Sequence, residues 1–184
     1  MKKENNLSRT KDLLIISLSS MLIAICSWIH IPFIVPFTLQ TFAIFFILLF
    51  EGGKKGLISI TIYFLIGIIG LPVFSGFKGG INVFLGASGG YLVGFIIIAI
   101  IYLIFEVIFK NNTLMLMVGL ILGLLLCYTF GTFWFIKIYT KSYNTISFIS
   151  ALKLCVLPFI IPDLLKLLLA ILLNKKLKKI HIKN

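Results

Sequence analysis

Two ionisable residues, Asp163 and Lys166, stand three apart in "PFIIPDLLKLLLA", the apolar stretch at residues 158–170. At the centre of a membrane helix each would cost roughly 2.5–3.5 kcal/mol on insertion scales. Ionisable side chains inside a membrane are therefore functional suspects by default. A spacing of three puts both on one face of a helix. Pro162 suits the first turn of a helix, and a carboxylate just after it would meet the positive end of the helix dipole. A carboxylate accepts N–H bonds and an ammonium donates to a carbonyl or carboxylate, so the pair suits a ligand that carries both kinds of group. The spacing leaves a second reading open, a structural ion pair that holds two helices together.

Other constellations carry less chemistry. "GASG" at residues 86–89 matches the Gly-x-Ser-Gly pattern around the serine of intramembrane rhomboid proteases. That reaction needs a base, and a histidine would have to come from another membrane helix. His30 sits at the edge of the first apolar run and His181 in the charged tail, neither placed to reach Ser88 on a late helix. No catalytic residue is assigned, and the chain is not expected to be an enzyme. Cys26, Cys127 and Cys155 are scattered within apolar runs. They lack metal-ligand spacing, which argues for three buried thiols, no metal and no resident cofactor. No GxxxxGKS/T loop occurs, so ATP-driven work would need a motor on another chain.

The elements that must position these residues are membrane helices. The chain has 184 residues and is 60% apolar, with a mean hydropathy of +1.17; soluble domains sit near 45–50% apolar. Only Glu4, Asp12, Glu51, Glu106 and Asp163 are acidic. The pattern predicts an all-α integral membrane protein, one domain over residues 1–184, with six spans of roughly 20 residues. They run from about Leu13 to Ile29, Leu39 to Phe50, Leu57 to Leu71, Tyr91 to Phe109, Leu114 to Ile136, and Leu154 to Leu173. Residues 1–12 and 174–184 are left as tails, the second strongly basic. The first run resembles a signal peptide, but no small-x-small cleavage site is convincing, so it is expected to stay as a helix. Pro32 and Pro36 in "HIPFIVPF" end it.

The net charge of +12 is not spread over a folded basic face, which argues against nucleic acid. The cations flank the apolar runs instead, in the positive-inside pattern. Six spans put both termini on one side, and twelve Lys and Arg residues fall there. Lys78, Lys137, Lys141 and Lys153 fall on the other. Both termini are expected in the cytoplasm. No internal repeat is evident, which weighs against inverted-repeat secondary transporters.

Two further features sit on this frame. "PVFSGFKGGINVFLGASGG" is apolar but too rich in glycine for a regular helix. It predicts an irregular outer loop whose small residues let backbone approach a ligand. On the first span Ser17, Ser20 and Ala24 form one small-residue stripe, suited to close helix packing within the chain or against a partner in the membrane.

Several segments taken together resemble the BioY family, the biotin-specific S components of energy-coupling factor transporters. They are "HIPFIVPFTLQTF", "GLISITIYFLIGIIGLPVFSGFKGGINVFLGASGGYLVGF" and "PFIIPDLLK", in the family's order and spacing over nearly the whole chain. Two departures stand out: "GASGGY" where the family usually has "GPTGGY", and "IPD" where it has "PGD". They touch Ala87 and Ile161–Pro162.

The resemblance implies a six-helix protein of the bacterial cytoplasmic membrane that captures biotin from outside. It also implies association with a membrane T component and two cytoplasmic ATPase subunits. Biotin combines a ureido group, an apolar thiolane ring and a carboxylate tail. Asp163 would accept from a ureido N–H, and Lys166 would donate to the ureido oxygen or to the carboxylate. Tyr91 offers a ring face and a hydroxyl. Asn82 and Gln40 are further polar candidates, and Phe74 with the glycines at 79–80 and 89–90 would shape the wall. The stripe of Ser17, Ser20 and Ala24 matches where S components dock the T component. A stand-alone biotin permease and an S component for another vitamin are the rival readings.

Overall fold

Glycine and proline punctuate the apolar runs, and the computed structural model breaks its helices at several of those points, around Pro32–Pro36, Gly52 and Gly70–Gly80; it describes residues 2–110, 112–142 and 146–181. Helix α1 (Lys2–Trp28) leads into a two-stranded antiparallel hairpin, β1 (His30–Ile31) and β2 (Phe37–Thr38). Then follow α2 (Gln40–Glu51), α3 (Gly53–Ile68), the short α4 (Ile81–Leu85), α5 (Gly89–Phe109), α6 (Thr113–Ser142), α7 (Phe148–Cys155) and α8 (Leu157–His181). Six of these match the six expected spans, and the Gly-rich loop between α3 and α5 holds α4. Four helices are long and apolar enough to cross a membrane: Arg9–Trp28, Gly89–Phe109, Thr113–Lys141 and Leu157–Lys179.

The hairpin was not expected. Pro32 and Pro36 stop the helix, and the backbone between them turns so that His30 pairs with Thr38 and Ile31 with Phe37. Leu39 N–H donates to the carbonyls of Cys26 and Ile29, which ties the hairpin to the end of α1. Helix α2 has 12 residues; at about 1.5 Å per residue it is well short of a roughly 30 Å hydrocarbon core. It tolerates this because it is central: Ala43, Ile44, Phe45 and Leu48 are fully buried. Helices α1, α3 and α8 pack along it, and the hairpin leads directly into its N-terminal end.

Polar contacts fix the relative heights of the helices. At one end Lys55 pairs with Asp12 at 2.5 Å, and Gly53 N–H donates to Glu106 Oε2 at 2.8 Å. At the other, Ser27 Oγ donates to Val73 O at 2.5 Å and Trp28 Nε1 to Pro72 O at 2.9 Å. Helices α1 and α3 therefore run parallel. Gly52, at φ +85°, makes the turn from α2 into α3 where an L side chain would be strained.

The most extensive helix pair is α5 against α6. Their approach depends on missing side chains. A Cβ on Gly94 would lie 2.4 Å from Cys127 Sγ, and one on Gly90 would lie 2.3 Å from Trp134 Cβ. Gly90 thus faces α6 rather than forming cavity wall. Gly94→Val is expected to cost about 1–3 kcal/mol through overpacking, read as a lower Tm without ligand. An unchanged Tm would contradict this packing.

Helix α8 departs from expectation at Pro162. The helix begins at Leu157, so Pro162 lies inside it and not in its first turn. Asp163 therefore does not sit at the positive end of a helix dipole. Its charge is met by side chains instead.

Candidate functional site

Asp163 and Lys166 lie one turn apart on the inward face of α8, with only 3% and 7% of their surface exposed. Lys166 Nζ donates to Asp163 Oδ1 at 2.8 Å. Thr41 Oγ1, from α2, donates to the same oxygen at 2.8 Å, and Tyr128 OH, from α6, donates to Oδ2 at 2.6 Å. Lys166 Nζ also donates to Thr38 O at 2.7 Å and approaches Thr41 Oγ1 at 3.1 Å. The ammonium lies 4.0 Å from the centroid of the Phe37 ring. One carboxylate thus gathers α2, α6 and α8, and one ammonium holds the end of the hairpin. Both are ionic groups in a low-dielectric interior with several partners, the condition under which burial is tolerable.

This cluster closes the inner end of a path of three adjoining cavities. The inner one, about 50 Å³, is bounded by Thr41, Tyr91, Cys127, Tyr128, Asp163 and Lys166 among others. A middle cavity of about 90 Å³ takes in Gln40, Phe74, Ser75, Lys78, Ser88 and Tyr91. The two share Val35, Pro36, Thr38, Tyr91 and Phe95 as walls. An open outer cavity of about 500 Å³ follows, between the hairpin tip at Phe33–Ile34 and the loop around Lys78, Asn82 and Ala87.

The six candidate ligand residues are strung along this path rather than gathered at one point. Asp163 and Lys166 stand at its inner end and Asn82, exposed, in the outer cavity. Tyr91 borders the inner and middle cavities, and its hydroxyl lies 3.2 Å from Thr132 Oγ1. Gln40 is buried, with Nε2 donating to Tyr63 OH at 2.7 Å and Oε1 accepting from Thr38 Oγ1 at 3.1 Å. Phe74 is packed edge-on against Tyr63 and Phe84. The three cysteines are buried, and Cys127 and Cys155 border the inner cavity. Ser88, of the "GASG" stretch, precedes α5, while His30 Nδ1 engages Trp28 O at 3.0 Å in the hairpin.

The sequence pattern of the BioY family matches residues 1–183. The chain belongs to the BioY family. It is 37% identical over 163 residues to the biotin transporter BioY of Thermotoga maritima, covering 88% of this chain and 92% of that protein. It is 33% identical over 159 residues to biotin transporter BioY2 of Lactococcus lactis subsp. cremoris, covering 86% and 85%. A crystal structure of the S-component for biotin from an ECF-type ABC transporter superposes with a TM-score of 0.82 at 28% identity, over 95% of this chain and 94% of that one. This BioY chain is thus an all-helical membrane protein with an S-component fold.

Thr38, Thr41, Tyr128 and Phe37 are the cluster members that sequence reasoning missed. Thr38 and Thr41 do lie within "PFTLQT", a segment that carries the resemblance. Tyr128 had no signal: it is one aromatic residue in an apolar run, brought to Asp163 only by the packing of α6.

The small-residue stripe divides. Ser20 and Ala24 are buried, with Ser20 Oγ donating to Ser59 O on α3 at 2.8 Å. Ser17 is exposed at the same face. All three border an apolar groove of about 360 Å³ between α1 and α3.

Proposed function

We propose that this chain is the S component that captures biotin from outside for ATP-driven uptake. It would sit in the bacterial cytoplasmic membrane with both termini in the cytoplasm, and a T component with two ATPase subunits would supply the motor. The observation that carries the reading is the buried Asp163–Lys166 pair at the closed end of the cavity path, in a chain of the BioY family.

In this reading the pair meets the ureido group. Asp163 already accepts three hydrogen bonds, and a carboxylate offers about four lone-pair sites. A ureido N–H takes the remaining one. Lys166 has three N–H donors, and Thr38 O, Thr41 Oγ1 and Asp163 Oδ1 occupy them. A ureido oxygen must therefore displace one of these partners. Displacing Thr38 O frees the hairpin, coupling ligand capture to its movement. Such movement is needed, since the inner cavities of about 50 and 90 Å³ are far below the roughly 300 Å³ or more of ordinary ligand pockets. Tyr91 and Phe74 then flank the thiolane ring, and Gln40 and Asn82 lie further along the path.

A thermal-shift panel on detergent-purified protein tests the assignment. Biotin is expected to raise Tm, and other water-soluble vitamins are not. A rise with another vitamin and none with biotin would contradict it. For orientation, a cysteine introduced beside Lys78 is expected to label from outside in intact cells, and one beside Lys54 is not; reversed labelling would overturn the cytoplasmic termini.

A further inference from the structure

The ligand path has two charged ends, and only one has been given a role. Lys78 is the one charged side chain that borders the middle and outer cavities among the described residues. Its side chain is exposed, and no acid lies along those two cavities to pair with it. Beside it, in the middle cavity, Ser75 Oγ is buried without a hydrogen-bond partner. Buried hydroxyls are almost always satisfied, so an orphan in a cavity wall points to a missing acceptor or donor.

The backbone presents the two together. Phe74 N–H donates to Lys78 O at 2.9 Å, closing a tight turn through Gly76 at φ +72° and Phe77 at φ +56°. Phe77 stacks on Trp28 with ring centroids 5.0 Å apart, and Gly80 N–H donates to Gly67 O at 2.7 Å. The turn is therefore held at both sides before any ligand arrives.

We infer that Lys78 and Ser75 form an anion subsite that receives the ligand's carboxylate. This rests on the proposed function and deepens it: the inner pair reads the ureido end, and the mouth of the path selects for a free acid. It also divides the two cations. Lys166 is saturated by partners at the closed end, whereas Lys78 has a free ammonium and a neighbouring hydroxyl donor. A cation at the opening would further raise the local concentration of an anionic ligand.

The test compares biotin with biotin methyl ester, which keeps the ureido and thiolane rings, on the purified full chain. Wild type is expected to bind biotin about five- to tenfold more tightly than the ester, between the effect of an exposed ion pair and that of a charge-assisted bond in a cavity. That preference is expected to shrink as salt rises. Lys78→Gln should remove most of that preference and leave the ester unchanged, while Lys78→Arg keeps it. Ser75→Ala should narrow it. Equal binding of acid and ester by wild type, or an undiminished preference in Lys78→Gln, overturns the subsite while the inner-pair reading stands on the bound ester. Binding of neither compound by wild type overturns both.

Discussion

Replacing either member of the buried pair is expected to weaken biotin binding by ten- to a hundredfold or more, and replacing both is expected to restore stability without restoring binding. Each charge-assisted hydrogen bond to ligand carries about 1.5–3 kcal/mol, a factor of roughly ten to a hundred in affinity. Stability follows different arithmetic. Removing one partner of a buried pair leaves an uncompensated charge, at about 3–5 kcal/mol. Here the loss should fall at the low end of that range. After Lys166→Met, Asp163 keeps the Thr41 and Tyr128 hydroxyls, and after Asp163→Asn, Lys166 keeps Thr38 O and Thr41 Oγ1. The double variant removes both charges and should melt above either single variant. Ligand-free Tm beside biotin affinity for the four proteins reads both quantities. A double variant that regains binding along with stability would make the pair scaffold alone.

The second large effect is all-or-none. Ser17→Trp is expected to leave biotin affinity within about twofold of wild type and to abolish ATP-driven uptake in cells that hold the T and ATPase subunits. Ser17 is exposed on α1 beside the apolar groove and lines none of the three cavities of the path. Small residues let helices approach closely in lipid, where association depends on packing. Ala24 is a poorer probe, since it is already buried against the core. Normal uptake by Ser17→Trp would remove this face from partner docking.

The parts of the fold that local chemistry dictates were legible in the sequence. Apolar runs with lysine and glycine between them gave the six main helices, four of them long enough to span. The cost of charge in lipid singled out Asp163 and Lys166 before any geometry was known. What failed was non-local. The hairpin at residues 30–38 is tied to the end of α1 by Leu39 N–H, which donates to the carbonyls of Cys26 and Ile29, and no window of sequence reveals that contact. Pro162 resembled a helix start, yet α8 begins at Leu157 because Pro158 sits in its first turn and serves that role. Tyr128 and Thr41 reach Asp163 across 35 and 122 residues of chain. The glycines at 89–90 were read as cavity wall, but Gly90 serves the contact of α5 with α6. Small residues signal close approach without saying to what.

The central claim is that the Asp163–Lys166 pair reads a ureido group, and one titration bears on it most directly. Purified wild-type protein is titrated calorimetrically with biotin and with the ring-opened diamine that keeps the thiolane ring and carboxylate but has no ureido carbonyl. Biotin is expected to saturate one site. The diamine gives Lys166 no acceptor and sets a second cation beside it, so it is expected to bind at least a hundredfold more weakly. Affinities within a few-fold of each other would contradict the account.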